Sequence, residues 1–457
     1  MKAVLFKGSS RAVILGLFGA AMVCQTMADE TRQAGPIWPV ALGYDTFSYR
    51  AIEDGATPSP SDLPPPPPVD ETLRAAETQS PSATWVTREP YGAGVFRRCN
   101  LGDPWTIPQP CPTKALGMTL SGWASAGLYA NGYQAASNGP LGFNSVGDGF
   151  NLHQLWVALD RTAELGGDGW DWGFHVDYVF GVDGPDTQSF GDQSWDFGWN
   201  AGRDYGSAIP QLYGELAYKD LKIKGGHFYT IIGYEVVQAP SNFFYSHAYT
   251  MYYGEPFTHT GFIASWKYND HFTFHGGWTA GWDAGWENRT DGSTFLGGIT
   301  CALTDKHSLA WALSTGKLGD GLGNVYMNSI VWTWKLQEKW TYVLQHDLGT
   351  VTGLGIPNSE WYGINQLLLY NISDCWGLGL RFEWFRDDDG TRVVAGNAGD
   401  YYELTAGLNW RPHANLVLRP EIRYDWYSGT LGSGQGPFDH GRENQQLSGG
   451  FDLIFTY

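Results

Sequence analysis

Hydrophobic and polar residues alternate with a period of two in LSGGFDLIFTY, the last eleven residues of the chain. Leu447, Gly449, Phe451, Leu453, Phe455 and Tyr457 fall on one face of such a strand. The residues between them, which are mostly polar, fall on the other face. Because a strand of a soluble β-sandwich shows the same alternation, this ending alone does not distinguish a soluble protein from a membrane protein.

Similar segments recur from Ala115 onward. About sixteen of them, each roughly ten residues long, have the length that a tilted strand needs to cross the hydrocarbon of a bilayer. They predict an all-β fold, a transmembrane antiparallel up-and-down β-barrel of about 16 strands. The segments lie near 115–132, 151–163, 170–181, 209–219, 221–231, 260–269, 271–281, 294–303, 307–315, 325–336, 339–349, 361–371, 376–386, 401–411, 415–426 and 446–457.

The connections between these segments alternate in length. Short turns are predicted at 220, 269–270, 304–306, 337–338, 373–374 and 412–414. Between them lie gaps of about nine to nearly thirty residues, which is how outer-membrane barrels distribute periplasmic turns and external loops. A sandwich or a propeller has no reason to collect its short turns at one end.

Charged residues occupy one face of several predicted strands. In WGLGLRFEWFR, Arg381 and Glu383 lie opposite leucine and tryptophan side chains, and NLVLRPEIRYDWY repeats this pattern. An ionised group in a dry core costs several kcal/mol, whereas a water-filled lumen removes that cost. Tryptophan and tyrosine residues near strand ends are typical of the aromatic girdles at membrane interfaces.

The N-terminal region has a different composition. Basic residues, the apolar run AVILGLFGAAMV and the small residues before Asp29 predict a secretory signal peptide over residues 1–28. Residues 29–114 include the run PPPPP and show no sustained period, so we expect an extended Pro-rich periplasmic arm before a barrel at 115–457.

Composition and charge narrow the function further. Aromatic residues make up 15% of the chain, charged residues make up only 16%, and the net charge is -19. These values argue against disorder and against nucleic acid as a partner. The sequence contains no HExxH, GxSxG or phosphate-binding glycine loop. We therefore predict no enzymatic activity, no cofactor and no metal site.

Four cysteines remain after the predicted signal peptide. Cys99 and Cys111 are close in sequence and would lie in an oxidising compartment, so we predict a disulfide between them. Cys301 and Cys375 are interpreted as ordinary packing residues in separate strands.

A longer stretch carries a family resemblance. The run GGHFYTIIGYEVVQAPSNFFYSHAYTMYYGEPFTHTGFIASWKY, from Gly225 to Tyr268, resembles the central signature of the β-barrel porin-2, or OmpL-like, family of bacterial outer-membrane proteins. The stretch CNLGDPW and the Pro-rich arm are similar to the planctomycete-type members. The resemblance covers Cys99 to Tyr457 and implies a porin-like barrel in the outer membrane, without naming a transported solute.

A barrel of about sixteen strands encloses more space than side chains fill, so an aqueous channel for ions and small hydrophilic solutes is expected. The aromatic-rich loop at 232–260, with Glu235 and Glu255, is the candidate constriction. The alternative is an external loop packed on its neighbours. Acids outnumber bases in the long loops, including Asp387, Asp388 and Asp389, and predict a mild preference for cations.

The arginines of the predicted lumen allow two interpretations. Arg381, Arg419 and Arg423 either face Glu235 and Glu255 across a constriction or pair locally. The local partners would be Glu383, Glu421 and Asp425, and cross-strand geometry favours this local pairing.

Two rival classes share some of these features. A secreted carbohydrate-binding β protein accounts for the tryptophan content, and an outer-membrane structural or adhesin barrel with a plugged lumen shares the whole strand pattern. Outer-membrane lipid is the expected surrounding of a porin. Porins of this size are often trimers, so a homotrimer is a further expectation.

Overall fold

The computed structural model describes residues 99–133, 136–147, 149–190, 195, 196, 198, 199, 204–286, 291–353, 358–431 and 436–457. The predicted signal peptide and most of the predicted arm lie outside the described residues. Among the described residues, no helix is long and apolar enough to cross a membrane.

Sixteen antiparallel strands form one closed barrel in the described part of the chain, as predicted. Each strand pairs with its neighbours in sequence. The strands are β1 Thr119–Asn131, β2 Phe150–Arg161, β3 Trp170–Gly181, β4 Gly206–Tyr218, β5 Leu221–Tyr229, β6 Thr258–Lys267, β7 Phe272–Thr279, β8 Ser293–Ala302, β9 His307–Lys317, β10 Asn324–Gln337, β11 Trp340–Thr352, β12 Ser359–Ser373, β13 Trp376–Asp387, β14 Ala398–His413, β15 Leu416–Thr430 and β16 Gln445–Thr456.

The last strand closes the barrel against the first. Trp123 lies opposite Thr456, and Asn131 lies opposite Ser448. This pairing closes the barrel, so that the sheet has no exposed edge strand.

The two faces of β16 have the predicted orientation. Phe451 on the outer face is 40% exposed, whereas its neighbour Asp452 points inward and is fully buried. The same phase holds on β13, where Leu380 faces outward and Arg381 faces the lumen. Alternation along the sequence therefore identified the lipid-facing side correctly.

The connections alternate between two ends of the barrel, which we call the short-turn end and the long-loop end. The turns at 219–220, 338–339, 374–375 and 414–415 lie at the short-turn end. The connections 318–323 and 353–358, at the long-loop end, are shorter than the predicted range, and the turn 162–169 is longer than the other short turns. The alternation is thus correct in order but less regular in length.

Residues 99–118 follow the short-turn end and are called the strap. The Leu101 carbonyl accepts a hydrogen bond from the Ala414 amide at 2.8 Å. The Asn415 side chain bonds both the amide and the carbonyl of Trp105 at 2.7 Å. Further along, a short helix α1 (Cys111–Ala115) leads into β1. The strap therefore runs beneath β14 and β15 before the barrel begins.

The disulfide predicted between Cys99 and Cys111 is wrong. Cys99 bonds Cys375 in the turn between β12 and β13, and Cys111 is a free, exposed thiol. The prediction relied on closeness in sequence. The strap runs along the end of the barrel and brings Cys99 next to Cys375, which is 276 positions away in the sequence.

Candidate functional site: the lumen and its inserted loop

The connection between β5 and β6, residues 230–257, folds into the lumen and is called the inserted loop. It contains a short 3-10 helix (Ala239–Ser241) and a short π-helix (Thr250–Gly254). Ile232, Phe244 and Tyr249 are at most 1% exposed. The inward fold predicted for 232–260 agrees with this placement, although the final residues of that range already belong to β6.

Carboxylates of the barrel wall accept hydrogen bonds from the backbone of the inserted loop. Glu383 on β13 accepts from the amides of Tyr249 and Thr250, both at 2.6 Å. Glu421 on β15 accepts from the amides of Tyr245 and Ser246 at 2.8 and 3.1 Å. Each of these two carboxyl groups therefore holds two consecutive backbone amides of the inserted loop.

Arginines of the same wall donate to carbonyl groups of the inserted loop. Arg419 donates to Ala239, Asn242 and Phe244 at 2.9, 2.7 and 2.9 Å. In addition, Arg381 donates to the Ser246 carbonyl at 2.8 Å. Because a guanidinium carries several donors in a rigid plane, one arginine holds several loop positions at once.

Arg423 follows the same pattern. It donates to the His247 carbonyl at 2.6 Å. Burial lowers the pKa of His247 to about 3, so this loop side chain stays neutral and adds no charge beside the arginines.

The arginines are neutralised by two kinds of partner. Arg381 contacts Glu235 of the inserted loop at 2.6 Å and Glu403 of β14 at 2.5 Å. By contrast, Arg423 pairs with Asp425 of its own strand at 2.7 Å. Both kinds of contact considered for the arginine group therefore occur: Arg381 contacts an acid of the inserted loop, and Arg423 pairs locally.

Several predicted pairings are wrong. Glu383 and Glu421 bind loop amides instead of neighbouring arginines. Glu255 faces Gln345 and Asp347 on β11 instead of an arginine. Burial and the Asp347 carboxylate raise the pKa of Glu255 well above its usual value.

Two acids that pair with the arginines were not predicted as their partners. Arg419 pairs with Asp452 on β16 at 2.7 Å, and Glu403 joins Arg381 to Arg423. Arg419 and Asp452 are direct cross-strand neighbours. Alternation along the sequence places both acids on the inward faces of their strands. It does not give the strand register, which is needed to pair each acid with a particular arginine.

The inserted loop divides the lumen into two sides. We call β13–β16, which hold the loop through the arginines and carboxyl groups above, the covered wall, and β5–β9 the open wall. The loop is also bonded to Gln154 of β2, Gln345 of β11 and Trp361 of β12. A cavity of about 300 Å³ lies between the loop and the open wall, next to Ile231 and Gly233. Its other lining residues come mainly from β5–β10, with Asp270 and His271 at the short-turn end.

The acids at the long-loop end do not all face water. Asp388 and Asp389 are exposed, whereas Asp387 is buried. Asp387 accepts hydrogen bonds from the amides of Thr391 and Arg392 at 2.9 and 2.8 Å. Only part of this acidic run therefore faces water.

A closed barrel of sixteen strands with a loop folded into its lumen is the architecture of outer-membrane porins. The family model described as "Putative beta-barrel porin-2, OmpL-like" matches residues 117–457. The chain belongs to this family and is an outer-membrane β-barrel of the porin class.

Solved structures share the fold. OmpT of Vibrio cholerae is 10% identical, with a TM-score of 0.50 over 74% of this chain and 97% of OmpT. The outer-membrane channel DcaP of Acinetobacter baumannii is 13% identical, with a TM-score of 0.50 over 74% and 97% of the two chains. An anion-selective porin from Comamonas acidovorans is 10% identical, with a TM-score of 0.53 over 74% and 99%. No curated protein matches the chain.

Proposed function

We propose that the protein is a non-enzymatic channel for the passive diffusion of ions and small hydrophilic solutes, with the inserted loop as its constriction. The observation that carries this proposal is the one-sided attachment of the loop. Its bonds to Arg381, Glu383 and Arg419 hold it against the covered wall, while the cavity lies on the open wall. Solutes would pass along the open wall.

Single-channel recording in planar bilayers tests this proposal. The wild-type protein is expected to conduct, and Arg419→Ala is expected to conduct more, because three loop carbonyls lose their donor. Arg386→Ala is the matched control, since Arg386 pairs with Asp388 and Asp400 outside the inserted loop. A wild-type protein that never conducts would contradict the proposal.

The alternative is a structural or adhesin barrel with a plugged lumen. The burial of Ile232, Phe244 and Tyr249 favours this alternative, because these side chains occupy space that a wide pore would leave to water. The same recording separates the two functions. A plugged barrel would be silent as wild type and would conduct only after Arg419→Ala loosens the loop. Membership of the porin family excludes the secreted carbohydrate-binding protein.

We also propose that the barrel associates into a homotrimer. On the outer face of β11 and β12, His346 is exposed, and Gln366 accepts a hydrogen bond from Tyr342 at 2.7 Å. Polar groups facing hydrocarbon are costly, and contact with a neighbouring barrel would shelter them. Light scattering in detergent is expected to give three copies for the wild type. A monomeric mass would contradict the proposal.

A further inference from the structure

We propose that the cavity on the open wall binds a small organic anion, with its anionic oxygens at Lys222, Lys224 and Lys267. The inference rests on the proposed diffusion function and deepens it by naming the chemical class of a solute. All three lysines line the cavity. No such cluster was predicted, because the sequence does not show that β5 and β6 face one shared space.

Strand geometry places the three lysines on one inward-facing surface. Lys222 and Lys224 are two residues apart on β5, so both point inward. Lys267 shares the inward face of β6 with Ser265, which lies directly opposite Lys222. Lys222 and Lys267 are therefore diagonal neighbours, about 7–8 Å apart and within reach of one small ligand. Lys224 lies two residues further along β5, on the side of Lys222 away from Lys267.

Two carboxylates partly balance these charges. Glu215 on β4 lies 3.7 Å from Lys222 and 3.9 Å from Lys224, which is longer than a direct charge-assisted hydrogen bond of about 2.7–2.9 Å. Asp270 lies 2.9 Å from Lys267, but its side chain is 91% exposed at the turn. In these ion pairs of the described residues, three ammonium groups share two carboxylates. An ammonium group beside a partly enclosed cavity attracts an anion more strongly than it would in bulk water.

The rest of the lining suits an organic anion better than a bare inorganic ion. Hydroxyl and imidazole groups lie beside the lysines: His275 contacts Ser265 at 2.9 Å and Thr300 at 3.2 Å. Phe228, Ile263 and Val331 supply apolar surface to the same cavity. Its volume of about 300 Å³ is at the lower end for small-molecule sites.

Calorimetric titration of the full, detergent-solubilised protein tests the site, with benzoate as the probe and benzyl alcohol as its neutral analogue. Benzoate is expected to bind, and benzyl alcohol is expected to bind at least about tenfold more weakly. The double variant Lys224→Gln/Lys267→Gln is expected to weaken benzoate binding by about tenfold or more. Lys306→Gln/Lys339→Gln, in turns at the same end of the barrel but outside the cavity, is expected to bind benzoate as the wild type does.

The single variant Lys267→Gln distinguishes a loss of the site from misfolding. Because the Lys267 side chain is 45% exposed, its replacement is expected to leave the fold intact. It is expected to keep the circular dichroism of the wild type and to weaken binding by about threefold. Equal benzoate affinity in the wild type and the double variant, or equal affinity for benzyl alcohol, would overturn the anion site. Conductance measured on the same preparations separates the two proposals. A channel that conducts without binding benzoate would refute only the anion site. A protein that binds benzoate without conducting would refute only the diffusion function.

Discussion

The covered wall and the open wall use different cations for different purposes. On the covered wall, Arg381, Arg419 and Arg423 are at most 2% exposed and bind both carboxylates and loop carbonyls. On the open wall, Lys222, Lys224 and Lys267 surround a cavity. Arginine offers a rigid set of donors that fixes geometry, whereas the lysine ammonium is a compact charge on a flexible stem. The comparison indicates that one wall holds the loop in place, whereas the other lines the cavity in which we propose that a solute binds.

The largest expected effect is on the covered wall. Arg381→Ala leaves the buried carboxylate of Glu403 without its closest charged partner and frees Glu235 and Ser246 of the inserted loop. Breaking a buried ion pair in this way is expected to lower the free energy of unfolding by about 3–5 kcal/mol. Urea unfolding in detergent micelles, followed by tryptophan fluorescence, measures the change. Arg386→Ala is the control, with an expected loss of about 0–1 kcal/mol because its pairs are partly exposed. Similar losses in both variants would remove the distinction between buried and exposed arginines.

The strap provides the second test, because it is attached beneath the strands of the covered wall. Cys375→Ser removes its disulfide and is expected to lower the free energy of strap release by about 2–4 kcal/mol. Limited proteolysis at the short-turn end should then cleave the strap faster. Cys111→Ser should leave the cleavage rate unchanged, since Cys111 forms no disulfide. Peptide mapping without reduction checks the pairing directly, and a Cys99–Cys111 peptide would contradict it.

A smaller effect is expected from Glu383→Gln. One carboxylate oxygen of Glu383 accepts from Tyr249 and the other accepts from Thr250. The glutamine amide keeps an acceptor for only one of these two backbone amides, which should weaken the attachment of the loop by about 1–2 kcal/mol. The loop should then fluctuate more, and the noise of the single-channel current should rise. Glu360→Gln on the adjacent strand, with an exposed side chain, should leave the noise at the wild-type level. Unchanged noise in Glu383→Gln would show that the carboxylate does not hold the loop.

The smallest expected effect concerns ion selectivity. Asp388→Asn/Asp389→Asn removes two exposed acids at the long-loop end and should shift the reversal potential in a salt gradient slightly toward anions. The shift should fade at high salt, because the screening length falls from about 10 Å at 0.1 M to about 3 Å at 1 M. A shift toward cations would contradict the predicted cation preference at the entrance. Asp305→Asn, in a turn at the opposite end, serves as the control.

Much of the fold could be predicted from the sequence because lipid and water impose opposite demands on the two faces of each strand. Alternation placed Phe451 outside and Asp452 inside, and the spacing of the segments indicated sixteen strands. The predicted connections around 318–323 and 353–358 were too long. Several residues on either side of them were predicted as loop but belong to the flanking strands.

The candidate site could be predicted only in outline. The aromatic content of the loop indicated that it folds inward, and the inward phase identified Arg381 and Glu383 as lumen residues. Their partners could not be derived, because Glu235 reaches Arg381 through the path of the loop, which no sequence period encodes. Cys375 was missed for a similar reason, since its partner depends on the route of the strap.

The route of the strap also determines where mechanical load enters the barrel. Cys99 is anchored next to β13, and β14, β15 and β16 lie between that point and the seam where β16 meets β1. A pull transmitted from the preceding residues is therefore borne first by a covalent bond to an internal turn. The hydrogen bonds between β1 and β16 therefore do not carry this load. Without the disulfide, a pull on β1 would break them one after another from one end.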